Sequence, residues 1–184
     1  NNIVVISPQK EKIKNFLKVY PVTFAIHKEP KATADALKAA GEKLKGFNGV
    51  ILVLNGDTPL ISTSTLQKFL KLHRQNKEDL SIISFVAKGQ HSYGRLIRNG
   101  NTVEAIIEDK DANEEQKKIN EVNSGIYAME SYMLNLIDEI KVNKAKGEYY
   151  LTDIVGIAVK KGFKVGACIL GTEAELTGIN TREE

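Results

Sequence analysis

The sequence predicts an α/β fold with a mixed, mostly parallel sheet covered by helices, and three observations carry that reading. Strand-length apolar runs alternate with amphipathic helical stretches from Asn2 to Gln75, which is the alternation that builds parallel sheets. The run Val50 to Leu54, rich in β-branched residues and bounded by Gly and Pro, reads as a strand buried on both faces. An Asn99-Gly100-Asn101 turn between two short strands then predicts a hairpin, which extends a parallel sheet into a mixed one.

Asn2 to Ser7 carries Ile3, Val4, Val5 and Ile6 and reads as a buried strand; Ile13, Phe16 and Leu17 recur at helical spacing in a short helix that Pro21 ends. Val22 to Ile26 is a second strand. Beyond Pro30, Ala36, Leu37, Ala40 and Leu44 give Thr33 to Lys45 one apolar side, so this run predicts an amphipathic helix. After the Val50 strand, Leu66, Phe69, Leu70 and His73 fall at i, i+3, i+4 and i+7 and predict a helix over Thr63 to Gln75, capped by Ser62 or Thr63. His73 on that stripe reads as a core or boundary residue. Leu80 to Ala87 is a strand, and Arg95 to Arg98 with Thr102 to Ile107 form the hairpin. Asp109 to Lys118 is charged and helix-compatible, Val122 to Met129 is a strand interrupted by Gly125, and Tyr132 to Ile140 is a helix with Met133, Leu136, Ile137 and Ile140 inward. Lys141 to Gly147 is a polar loop. Thr152 to Lys161, ended by Gly162, and the strand Lys164 to Leu170 complete the chain. No repeat, low-complexity tract or linker divides it, so one domain over residues 1–184 is expected.

Composition narrows the function class. With 42% hydrophobic and 27% charged residues, 184 residues suffice for a buried core. The net charge of +3 comes from 26 basic and 23 acidic residues that are interspersed, which leaves no electrostatic footprint for nucleic acid. Cys168 lies in a strand-like run and reads as a buried, inert small hydrophobe, and no zinc framework is present. There is no run of 18 apolar residues and no signal-peptide pattern, so a cytoplasmic protein without a membrane partner is expected.

The chemistry lies in motifs at strand ends and loops. Asp57 in Asn55-Gly56-Asp57 follows the Val50 strand, at the position where open α/β sheets hold a ligand or metal; a simple Gly-Asp turn into the next helix is the competing reading. Further motifs are Ala32-Thr33-Ala34, Tyr93-Gly94-Arg95, Glu108-Asp109-Lys110-Asp111-Ala112, Asn123-Ser124-Gly125, Gly147-Glu148-Tyr149-Tyr150-Leu151-Thr152-Asp153 and Gly178-Ile179-Asn180. They supply small residues for close approach, amides that donate and accept, and carboxylates for a hydroxyl or hard cation, which suits a sugar and a phosphate. No Ser-His-Asp or Cys-His constellation suggests a side-chain nucleophile, and GxGxxG and GxxxxGK[ST] patterns are lacking.

In this order the motifs resemble the uridylyltransferase domain of the bacterial bifunctional N-acetylglucosamine-1-phosphate uridylyltransferase and glucosamine-1-phosphate acetyltransferase family, over essentially the whole chain. The resemblance implies a Rossmann-like three-layer α/β/α nucleotide-diphospho-sugar transferase fold. It implies Mg2+-dependent joining of UTP and N-acetylglucosamine 1-phosphate to UDP-N-acetylglucosamine, with release of pyrophosphate, for cell-envelope synthesis. Carried over by motif, Asp57 and Asn180 would hold the metal and Thr33 would contact the uracil. Gly94, Glu108, Asn123, Tyr150 and Thr152 would line the sugar pocket, Gly94 through its backbone and Glu108 through a sugar hydroxyl.

The sequence also departs from the family pattern. Asn2 to Ser7 matches the family's second strand, so the first strand with its Gly-rich phosphate loop is expected to be missing, as is the β-helix acetyltransferase domain. Loss of a single preorganised donor costs about 10²- to 10³-fold in rate, so a weak catalyst is expected, and an oligomer or a complementing amino-terminal fragment would cover the exposed sheet edge. Ala32-Thr33 replaces a Gly-Thr pair and His27 stands where a Gln is expected. A nucleotidyltransferase for another sugar phosphate or base, and a non-catalytic sugar-nucleotide-binding module, are the alternative readings.

Overall fold

A computed structural model describes residues 1–27, 33–89, 91–141, 149–179 and 181, which form two compact units. The first comprises residues 1–48 and 134–151, the second residues 49–133 and 152–184.

In the first unit, β1 (Asn2–Ile6) and β2 (Val22–Ile26) pair in parallel, in register from Asn2 opposite Val22 to Ile6 opposite Ile26. A parallel pair needs a crossover, and α1 (Glu11–Leu17) supplies it. α2 (Thr33–Gly41) buries Ala34, Leu37 and Ala40, and Ile6, Ala25, Leu136, Ile137, Ile140 and Leu151 are the other buried apolar residues among those described in this unit. The apolar spacing of α1 does not become a buried face: none of its residues is buried and Phe16 is 72% exposed.

The second unit is built on six strands: β3 (Val50–Val53), β4 (Leu80–Val86), β5 (Arg95–Asn99), β6 (Thr102–Ile107), β7 (Glu121–Glu130) and β8 (Val165–Ile169). The path is β6-β5-β7-β4-β8, with β3 paired to β7. β4 and β8 are parallel, whereas β7 runs antiparallel to β3, β4 and β5, and β6 antiparallel to β5. Thus β3, β4, β5 and β8 point one way and β6 and β7 the other: the α/β sheet is mixed, as the sequence predicts, but in place of the mostly parallel pairing expected, β7 and the β5–β6 hairpin make its pairings antiparallel except for β4 with β8. α3 (Thr63–Asn76) begins at Ser62, whose hydroxyl accepts from Thr65 N–H at 3.1 Å, and ends at Lys77 in the left-handed region at φ 51°. α4 (Glu114–Lys117) opens with an Asn113–Gln116 capping box, α5 (Asp153–Lys160) buries Ile154, Val155 and Ala158, and α6 (Glu173–Leu176) is a single turn capped by Thr172.

Two predicted helices take other forms. The charged 109–118 stretch splits into a 3-10 turn, Asp109–Asp111, and α4, while Ser131–Glu139 is 3-10 rather than α. His73 is buried as expected, with Nδ1 2.6 Å from Ser81 Oγ. Burial pushes the half-buried Cys168 thiol up to about 11, so it stays protonated near neutrality. Among the described residues no helix is long and apolar enough to cross a membrane.

Candidate functional site

The second unit's candidate site forms where the carboxyl end of β3 meets a bulge in β7. On β4, Ile82 and Ser84 are opposite Tyr127 and Asn123, so β7 carries extra residues there, and Gly125 takes φ +77°. That conformation favours glycine, and such bulges re-aim side chains next to functional sites. The bulge is held by Ser124, whose hydroxyl donates to Ile83 O at 2.7 Å and accepts from Ile126 N–H at 3.2 Å. A Cβ on Gly125 would lie 2.1 Å from Asn55 Nδ2, so glycine here also admits the Asn-Gly-Asp turn.

That turn is closed locally. Thr58, 4% exposed, donates its hydroxyl to Asn55 O at 3.1 Å, which wraps the chain around Gly56 and Asp57. Ile179 N–H donates to Asp57 O at 2.7 Å, which brings the segment after α6 against the turn. A Cβ at Gly178 would stand 3.2 Å from Asp57 Oδ2, so glycine keeps one flank of that exposed carboxylate open. Hard carboxylate oxygens beside such an opening fit Mg2+, which takes only one or two protein ligands and leaves other positions to water and phosphate. Among the described residues no group of three or more His, Cys, Asp and Glu side chains could hold a metal, and Asn180, the second expected ligand, lies outside the described residues.

On the other side of the bulge, four sequence-predicted residues come together. The Asn123 backbone N–H donates to Gly94 O at 2.8 Å, and its side-chain Oδ1 accepts from Gly125 N–H at 3.0 Å. A Cβ on Gly94 would lie 2.9 Å from Ile106 Cγ2 and 3.4 Å from Glu108 Oε2, so glycine permits the contact between this loop and the end of β6. Thr152 occupies the N-cap of α5 but makes no capping bond; its hydroxyl donates to Glu108 Oε1 at 2.8 Å instead. Arg95, 3% exposed, donates to Tyr93 O and Asp109 Oδ1, and so ties the loop carrying Gly94 to the residue after Glu108.

Thr33 and Tyr150, the remaining candidates, belong to the first unit. There Thr33 Oγ1 accepts from Leu151 N–H at 3.3 Å, and Ala34 N–H donates to Tyr149 O at 3.3 Å, so the start of α2 brackets Tyr150. Sequence reasoning missed Asn55, Arg95 and Tyr127 as individual contributors. Arg95 was visible only as part of a motif, and Tyr127, whose hydroxyl accepts from Asn123 Nδ2 at 2.8 Å, is hidden in an apolar strand pattern.

Fold and site together define an α/β domain whose glycine turns, amide and carboxylates gather at strand ends, where such sheets hold ligands. The profile of the nucleotidyl transferase family matches residues 3–173, and the chain belongs to that family. It is 44% identical over 185 aligned residues to the bifunctional protein GlmU of Thermodesulfovibrio yellowstonii, covering 100% of this chain and 40% of that protein. The Clostridium botulinum bifunctional protein GlmU is 37% identical over 181 residues, covering 97% and 39%. The chain thus spans about two fifths of the length of these relatives. A crystal structure of UDP-glucose pyrophosphorylase complexed with UDP-glucose superposes with a TM-score of 0.70 at 16% identity, covering 96% of this chain and 76% of that one, which is a likeness of fold.

Proposed function

We propose that this domain transfers UMP from UTP to N-acetylglucosamine 1-phosphate, giving UDP-N-acetylglucosamine and pyrophosphate. The observation that carries the proposal is the hydrogen-bonded grouping of Gly94, Glu108, Asn123 and Thr152 around one bulge, combined with likeness to GlmU over the whole chain. Glu108 accepts from a sugar hydroxyl, Asn123 presents its amide, and Gly94, its carbonyl taken by Asn123, offers its N–H.

The sugar phosphate oxygen attacks the α-phosphate of UTP and pyrophosphate leaves, so the protein's task is alignment and charge neutralisation without a side-chain nucleophile. Asp57 and Asn180 hold Mg2+, which when bound neutralises phosphate charge. The test is pyrophosphate release from UTP and N-acetylglucosamine 1-phosphate with Mg2+, run beside glucose 1-phosphate and dTTP. Release with the first pair above the others is expected; preference for another sugar phosphate or base overturns the assignment, and binding of UDP-N-acetylglucosamine without any release would make the domain a binding module.

A further inference from the structure

Tyr127 lies on β7 four residues beyond Asn123 and is 2% exposed. Its hydroxyl accepts from Asn123 Nδ2 at 2.8 Å. Burial pushes the phenol well above its ordinary range, the Asn123 hydrogen bond opposes that rise and the Glu108 charge adds to it, so the group stays a neutral O–H. A side-chain amide has two N–H donors and an oxygen with two lone pairs. In Asn123 the Gly125 N–H occupies one lone pair and Tyr127 takes one N–H. One N–H and one lone pair therefore remain at a fixed orientation, which suits a sugar hydroxyl that both gives and takes a hydrogen bond.

We propose that Tyr127 is a positioning residue for the sugar half of the site and acts through the Asn123 amide; this rests on the sugar-nucleotide reading above. The terminal torsion of an Asn is broad, and its orientation is decided by the partners on each side. With the phenol oxygen gone, Gly125 N–H alone holds the amide and its ligand-facing N–H wanders.

The test is a double-mutant cycle read by calorimetric binding of UDP-N-acetylglucosamine and, as a control, UMP. Tyr127→Phe keeps the buried ring and is expected to weaken UDP-N-acetylglucosamine about 3- to 10-fold, the range of one lost hydrogen bond. In an Asn123→Ala background the same change is expected to do nothing, and UMP affinity is expected to stay constant throughout. Equal losses in both backgrounds, or no loss in the first, overturn the proposal. Sensitivity of wild-type binding to Asn123→Ala tests the sugar-nucleotide reading separately. The positioning role is also readable in the unaltered protein without ligand: one Asn123 side-chain N–H proton protected from exchange is expected, and two equivalent, fast-exchanging protons overturn it.

Discussion

Arg95 and Asp109 form an ion pair at 2.5 Å that links the chain neighbours of two candidate-site residues, Gly94 just before β5 and Glu108 just after β6. The Arg95 side chain is 4% exposed and also donates to the carbonyls of Tyr93 and His91. Removing the carboxylate leaves a desolvated guanidinium without its counter-charge, so Asp109→Asn is expected to cost about 3 kcal/mol, or roughly 6–12 °C in Tm. Arg95→Lys is expected to lose nearly as much, because one ammonium cannot reproduce the planar fork. Thermal unfolding of both variants checks this, and a wild-type Tm in either would show that the pair does not hold the loop.

Gly125 is required twice, by its φ of +77° and by the Asn55 side chain 2.1 Å from where a Cβ would stand. An alanine at such a φ costs about 1–2 kcal/mol from backbone strain alone. Gly125→Ala should therefore destabilise the domain by at least that amount and weaken UDP-N-acetylglucosamine, since the Gly125 N–H orients Asn123. Adding Asn55→Ala is expected to relieve the clash while leaving the strain, a partial recovery measurable by urea denaturation. Full recovery in the double variant would remove the backbone from the explanation.

What the sequence made legible was local. The Ser62 cap and the Asn-Gly hairpin depend on residues a few positions apart, and each forms as expected; the turn at Asn55-Gly56-Asp57, the competing reading of that motif, is equally local and forms too. The insertion of β7 antiparallel between β3 and β4 depends on pairing across distant segments, which periodicity does not encode. The bulge was signalled only by a glycine inside a strand pattern, and Tyr127 reads as an ordinary core residue until its hydroxyl is placed against Asn123. The apolar positions of α1 show the same limit: spacing gives a face but not what covers it.

His73 links pH to stability. Ser81 donates to the Glu78 carboxylate and so accepts from His73 Nδ1–H, which leaves Nε2 as the basic nitrogen, 3.7 Å from Glu130 Oε1. Burial holds its pKa below the ordinary histidine value; the charges of Glu130 and Glu78 oppose that depression and Arg74 reinforces it. In the unfolded chain His73 takes up a proton as pH falls through about 6.5, whereas the folded chain does so only at lower pH. The stabilisation is therefore complete above pH 6.5 and is lost on acidification, with a slope of at most about 1.4 kcal/mol per pH unit from this group. His73→Gln is expected to flatten the difference in stability between pH 7.5 and 5.5 even if it lowers stability at both. An unchanged slope would assign the acid sensitivity to other groups.

Gly178 and Asp57 bear on the proposed Mg2+ site. A methyl group at position 178 would stand 3.2 Å from Asp57 Oδ2 and 3.4 Å from its Cγ, tighter than the carboxylate can accept without shifting. Ile179 N–H holds the Asp57 backbone in place at 2.7 Å, so the side chain must do the moving. If Asp57 holds the cation, Gly178→Ala should raise the Mg2+ concentration for half-maximal pyrophosphate release by about 10-fold, the low end for groups that orient a metal ligand. Asp57→Asn, which removes the charged ligand itself, should raise it further. UMP binding measured without Mg2+ should be the same in all three proteins. A Gly178→Ala protein with wild-type Mg2+ dependence would mean that the open flank beside Asp57 serves packing of the segment after α6 rather than a cation.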